Sequence, residues 1–83
     1  MEFYLCCADL RGIDLQGIDL SGADLRGADL EDAVLQGTDL SGALIWGADL
    51  RGADLRRARL EGAELHGADL EGALIEGASG MPW

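Results

Sequence analysis

Residues 8–27 read ADLRG, IDLQG, IDLSG, ADLRG, four five-residue units in unbroken register. The same frame runs back to FYLCC at 3–7. It runs forward through ADLED at 28–32, AVLQG, TDLSG, ALIWG, ADLRG, ADLRR, ARLEG, AELHG and ADLEG to ALIEG at 73–77, with no insertion or deletion. The central residue is Leu everywhere except Ile45 and Ile75. Two places before it stands Ala, except at Phe3, Ile13, Ile18 and Thr38. Two places after it stands Gly, except at Cys7, Asp32 and Arg57.

A period of five fits neither regular element. A helix needs apolar residues at spacings of three and four, and a strand needs two. Glycine at every fifth place would cost a helix about 1 kcal/mol each time. Coiled coils repeat in sevens. The Gly- and Asp-rich calcium-binding solenoids repeat in nines. The pattern therefore asks for a chain that turns once per five residues, buries two of them and exposes three.

Length and charge narrow the function classes. Eighty-three residues allow one small domain, whose globular core would be marginal unless stacked layers bury one another. Six arginines, no lysine and sixteen acids leave a net charge of −10. Phosphate contacts need cations, so direct nucleic-acid binding is disfavoured, as are anionic membrane surfaces. The balance suits a basic protein partner or solubility alone. Cys6 and Cys7 are adjacent, and vicinal disulfides are strained, so they read as two buried or edge thiols in a reducing compartment. The start, Met1-Glu2-Phe3-Tyr4-Leu5, lacks a basic n-region. No apolar run approaches the ~18 residues of a membrane span. These features predict a cytoplasmic chain. One histidine, no convergent acid and no cleft argue against an enzyme. The glycines open no helix, so no phosphate loop is expected. Neither a cofactor nor a metal site is expected.

Across residues 3–77 the units resemble the A(D/N)LxG signature of the pentapeptide-repeat family. The resemblance implies an all-β, right-handed quadrilateral β-helix with four units to a coil. The central residue and the one two before it would point inward. Residues 1–79 would form one solenoid of about four coils, and 80–83 a tail. Twenty residues per layer places residue n under n+20 at ~4.8 Å, and four coils make a rod ~19 Å long. The inner columns become 5/25/45/65, 10/30/50/70, 15/35/55/75 and 20/40/60. Phe3, Ile13 and Ile18 are expected to plug the N-terminal end. Thr38 is expected to give its hydroxyl to a neighbouring turn carbonyl.

The implied geometry sorts the surface. Asp9, Asp29, Glu31, Asp32, Asp49, Asp69 and Glu71 share the Leu10 face with Arg11 and Arg51, which carries −5 of the −10. The ladder 9/29/49/69 reads chiefly as fold chemistry, since Asp before the central Leu bonds turn amides. An open row does not offer the six to eight oxygens of a Ca²⁺ site. The ladder Arg11/Glu31/Arg51/Glu71 is expected to relieve part of the repulsion along the stack. A second patch is Leu44, Trp46, Arg26 and His66 beside Tyr4, with Arg26 expected to lie on the indole, worth ~0.5–1 kcal/mol. At the C-terminal end, Leu65, Leu70 and Ile75 are expected to face solvent. Met81 and Trp83 would either fold over as a lid or, with Leu74 and Ile75, form a homodimer contact. The resemblance favours the dimer, because gyrase-interacting members of the family pair through that end.

Two functions remain. The first is a non-catalytic protein-interaction or structural module with an acidic rod-like surface. The alternative is a DNA mimic that binds DNA gyrase or another basic DNA-binding protein, as acidic members of the family do. Duplex DNA carries one charge per ~1.7 Å, so ~19 Å carries about eleven, against ten here. Those members are longer and interrupted by loops, which this chain lacks.

Overall fold

The computed structural model describes residues 3–81. Every strand contact in it is a parallel β-bridge between residue n and residue n+20. Four rows result: Tyr4–Asp24–Leu44–Glu64, Asp9–Asp29–Asp49–Asp69, Asp14–Val34–Asp54–Leu74 and Asp19–Asp39–Arg59–Ser79. No helix occurs among the described residues. Each layer holds twenty residues and four turns, as the resemblance to the family implies.

The turn is the local reason. The amide of the residue three after each central Leu bonds that Leu's carbonyl, as Ala53 does to Leu50 at 3.0 Å. The third place of this turn has positive φ, as at Gly52 (+68°). That is the geometry of a type II turn, which glycine enters without steric cost. The chain leaves the turn extended for about three residues and turns again, so no strand grows long.

Between turns the amides reach neighbouring layers. Leu30 and Asp32 donate to Asp49 and Arg51 of the next layer at 2.7 and 2.9 Å, and Asp49 donates to Ala28 of the layer before at 2.9 Å. Central and Ala positions from Leu20 to Leu60 are 0–3% exposed and form one continuous core. Thr38 is the buried polar residue, and its hydroxyl donates to the Leu15 carbonyl at 2.6 Å. That carbonyl also accepts the Ile18 amide of its own turn, so the expected partner is the observed one.

The two end layers differ from the expectation. Phe3 and Ile13 pack against the core, but Ile18 is 45% exposed and does not. Its only neighbouring layer presents Thr38, which is committed to Leu15, so Ile18 has little apolar surface to cover. At the other end Leu65, Leu70, Ala63, Ala68 and Ala78 are half-buried against the core, and Ile75 is 40% exposed. Met81 packs against the core, whereas Trp83 lies outside the described residues.

Gly80 makes the Met81 contact possible. It has φ +74°, and a Cβ there would meet the Glu61 amide nitrogen and come within 2.6 Å of Glu61 Cα and 2.7 Å of Leu60 C. The preceding Ser79 donates its hydroxyl to Glu61 Oε1 at 2.7 Å. The outline is another departure: the axes measure 26 × 23 × 22 Å, so the body is no rod. Four layers of ~4.8 Å stack no higher than one coil is wide.

Leu50→Ala should lower stability by about 2–5 kcal/mol, as for other buried leucines. Arg51→Ala on the same unit should cost under ~1 kcal/mol. Equal shifts in denaturant melts would reverse the inside and outside faces. Gly80→Ala should lift Met81 from the core, read as faster hydrogen exchange at the Ser79 amide; unchanged exchange would mean that the close approach is not maintained in solution.

Candidate functional site

The acidic face is built by the turn chemistry itself. Asp9, Asp29, Asp49 and Asp69 are bridged in one row, and each accepts the amide two residues on, at 3.3, 3.2, 3.1 and 3.1 Å. Strand alternation sends the residues either side of the central Leu outward together. In an Asp-Leu-Arg unit this brings carboxylate and guanidinium side by side. Arg51 forks onto Asp49 at 2.9 and 2.6 Å, and Arg11 onto Asp9 at 2.9 and 3.0 Å.

The expected relief along the stack is the weaker contact. Arg51 reaches Glu31 at 3.5 Å and Arg11 reaches Asp29 at 3.7 Å. The nearer partner is in the same unit because Asp-Leu-Arg pairs need no lean across layers. The Arg51 fork and turn amide lower the Asp49 carboxyl from 3.8 to about 2 and raise the guanidinium. The same causes lower Asp9 and raise Arg11. Asp32, Asp69 and Glu71 have no cation within ion-pair distance among the described residues. An open depression beside the first two layers is bordered by Asp9, Arg11, Gly12, Glu31 and Asp32. Among the described residues no group of three or more His, Cys, Asp or Glu is placed to hold a metal ion.

The aromatic patch assembles differently from its sequence reading. Trp46, 43% exposed, meets His66 edge to face with centroids 5.5 Å apart and an interplanar angle of 85°. Its Nε1 donates to Glu64 Oε1 at 3.0 Å. Arg26 does not lie on the indole. It forks onto Asp24 at 2.9 and 2.7 Å, because its own unit supplies that acid. Leu44 is half-buried between Asp24 and Glu64, and Tyr4 is 77% exposed in the same row.

Two features were not singled out by the sequence reading. One is a polar cluster in which Arg56 forks onto Asp54 at 2.9 and 2.7 Å, Gln36 donates to Asp54 at 2.6 Å, and Arg57 donates to Gln36 at 3.1 Å. Arg56 is the chief cause holding the Asp54 carboxyl well below the usual range. Gln36–Asp54 and Trp46–Glu64 are both n to n+18 pairs, a diagonal that columns of twenty do not show. The other is the 3.4 Å contact between the sulfurs of Cys6 and Cys7, which were expected as buried or edge thiols and are both free and exposed. The hydrogen bond to Cys7 is the main cause raising the Cys6 thiol pKa. At the C-terminal end Leu74 is 46% exposed and lies on an outer row above Asp54. No helix among the described residues is long and apolar enough to cross a membrane.

Comparison with known proteins follows this geometry. The family description Pentapeptide repeats matches in eight copies, over residues 8–47 and 38–77. No curated protein sequence matches. Among solved structures, QnrB1, described as a plasmid-mediated fluoroquinolone resistance protein, is 28% identical with a TM-score of 0.77, over 99% of this chain and 40% of that one. The pentapeptide repeat protein alr5209 from Nostoc PCC 7120 is 46% identical with a TM-score of 0.58, over 83% of this chain and 60% of that one. The chain thus spans less than two thirds of either structure.

The Asp49 shift sets a pH dependence. A carboxyl lowered in the fold stabilises it above the ordinary value near 3.8 and loses that contribution as pH falls through about 2. Denaturant melts should therefore weaken progressively from about pH 4 to pH 2. Asp49→Asn, which keeps an acceptor for the turn amide, should flatten part of that slope. An identical slope in the variant would show that the Arg51 fork contributes nothing in solution.

Proposed function

The chain belongs to the pentapeptide-repeat family, and we propose that it is a non-catalytic protein-interaction module whose acidic face meets a basic partner. The contact would comprise Asp9, Asp29, Glu31, Asp32, Asp49, Asp69 and Glu71. The observation that carries this reading is the register of the Asp row, whose Asp69, like Asp32 and Glu71 beside the row, has no cation within ion-pair distance among the described residues. Cations are nearest Asp9 and Asp49, so attraction would centre on Asp69 and Glu71. The reading includes the right-handed, four-sided coil implied by the resemblance, residues 1–79 as one unit, and a cytoplasmic setting. Leu44, Trp46, Arg26 and His66 would offer a second contact, since Trp and Arg dominate interface hot spots. Leu74, Ile75, Met81 and Trp83 would supply a small homodimer contact.

The likeness to a fluoroquinolone resistance protein favours one alternative, a DNA mimic that engages gyrase or another DNA-binding protein. The charge of −10 supports it. The 26 Å longest axis weighs against it, since it offers the footprint of a very short duplex.

Affinity capture at low salt, beside a gyrase supercoiling assay, separates the readings. Basic proteins should be retained by the parent chain and released as salt rises, because screening shortens the reach of exposed charges. Asp69→Asn with Glu71→Lys, which keeps the turn acceptor, should lose them. Retention that ignores both changes would remove the acidic face as the site. Modulation of supercoiling, abolished by the same variant, would select the mimicry reading.

A further inference from the structure

Cys6 and Cys7 occupy the two middle places of the first turn, closed by the Ala8 amide on the Leu5 carbonyl at 3.1 Å. Cys7 holds φ +64° at a place given to glycine in most units. This backbone sends both side chains outward, and both thiols are free and exposed. Their sulfurs lie 3.4 Å apart. The nearest other acceptor on Cys7 Sγ is the Arg26 carbonyl, at 3.9 Å.

The separation and the lack of further ligands narrow the choice of ligand. It is far longer than the ~2.05 Å of a disulfide, whose closure between neighbouring residues would strain the turn. It is shorter than the ~3.8 Å between two thiolates on a tetrahedral ion with bonds of about 2.3 Å. One atom bonded to both sulfurs at about that length would subtend an angle near 95°. Zinc would also need two further ligands, and no group of three or more metal-binding side chains forms among the described residues. A linear two-coordinate ion needs a wider pair. A pyramidal trivalent centre, with bond angles near a right angle, fits.

We propose that Cys6 and Cys7 form a chelating site for trivalent arsenicals, arsenous acid or an organic arsenoxide. With an arsenoxide, two arsenic–sulfur bonds form and the arsenic–oxygen double bond breaks. The oxygen leaves as water, carrying both thiol protons. Neither arsenic nor sulfur changes oxidation state, so no further reactant is needed. The turn holds the second sulfur beside the first, and that preorganisation supplies the affinity.

Phenylarsine oxide added to the reduced full-length chain tests the site by native mass spectrometry. The expected product is one arsenical per chain with loss of one water, stable to excess glutathione and removed by dimercaptopropanol. Cys6→Ser should weaken binding about 10²–10⁴-fold, as loss of an intramolecular second bond does. Cys7→Gly should do the same while restoring the usual turn residue, so its fold is secure. Binding by either variant as tight as the parent's, two arsenicals on separate sulfurs, or release by glutathione alone would overturn the proposal. So would zinc held as tightly as the arsenical.

Discussion

The structure depends on finding an acceptor for every amide in a chain that turns each fifth residue. Buried amides left without partners are costly, so the accounting has to close. In a unit such as Ala48–Gly52 it does. The Ala48 amide closes the turn on Ile45, Asp49 donates to the layer before, and Leu50 and Gly52 donate to the layer after. The Arg51 amide, left over by the backbone, is taken by the Asp49 carboxylate. Every unit has a left-handed third turn residue, ten of the fifteen have an acid before the central residue, and most have something small before that. The repeat is these features written as sequence. Because each layer buries the faces of its neighbours, the small-domain shortage of core is avoided, with about 1.5–3 kcal/mol from each buried Leu.

Stacking at fixed spacing turns every repeated side chain into a ladder, so charge becomes the difficulty. The short ion pairs run within layers. Asp9–Arg11, Asp24–Arg26, Asp49–Arg51 and Asp54–Arg56 are all Asp-Leu-Arg forks, with shortest N–O distances of 2.6–2.9 Å. Among the ion pairs of the described residues, those that cross layers are the longer contacts at 3.5 and 3.7 Å. Cohesion between layers rests chiefly on backbone bonds and on Leu and Ala packing, with diagonal side-chain bonds such as Gln36–Asp54 and Trp46–Glu64 added. Surface charge is left free to vary with little effect on the fold, since exposed pairs are worth ~0–1 kcal/mol. A face can then be tuned toward a partner by choosing the residue after each Leu.

This division explains what could be read from residues alone. The one-turn-per-five-residues rhythm and the Asp–amide turns follow from position within the unit, which the unbroken frame exposes directly, whereas the n to n+20 register, the inner columns and with them the Thr38 bond came from the resemblance to the family. The direction in which a long side chain leans does not follow from position. Arg26 had Trp46 above it and Asp24 beside it in the same unit, and took the acid. Trp46 reached Glu64, eighteen residues on, which no column of twenty contains. The outline was missed for a different reason: layer height is a property of spacing, whereas coil width depends on all four sides together. Ile18 was misassigned because the end layers lack the neighbour that makes inside and outside a strict alternation.

The three turns without glycine show how the repeat tolerates exceptions. Cys7, Asp32 and Arg57 hold φ between +59° and +64°, a region that costs an L-residue about 1–2 kcal/mol. Each places atoms where the next layer has glycine. Cys7 Sγ and Arg57 Cγ lie 3.2 Å from where Cβ atoms on Gly27 and Gly77 would stand, and Asp32 Oδ1 fills the same space over Gly52. At Gly27, Gly52 and Gly77 the backbone angle favours glycine, and any Cβ would also make the side chain below it shift. Gly37 and Gly47 meet nothing within 4 Å and are required by angle alone. Columns 7/27/47/67, 12/32/52/72 and 17/37/57/77 each carry just one side chain. The exceptions are spread among the columns, and each brings a functional group to a surface that glycine leaves bare.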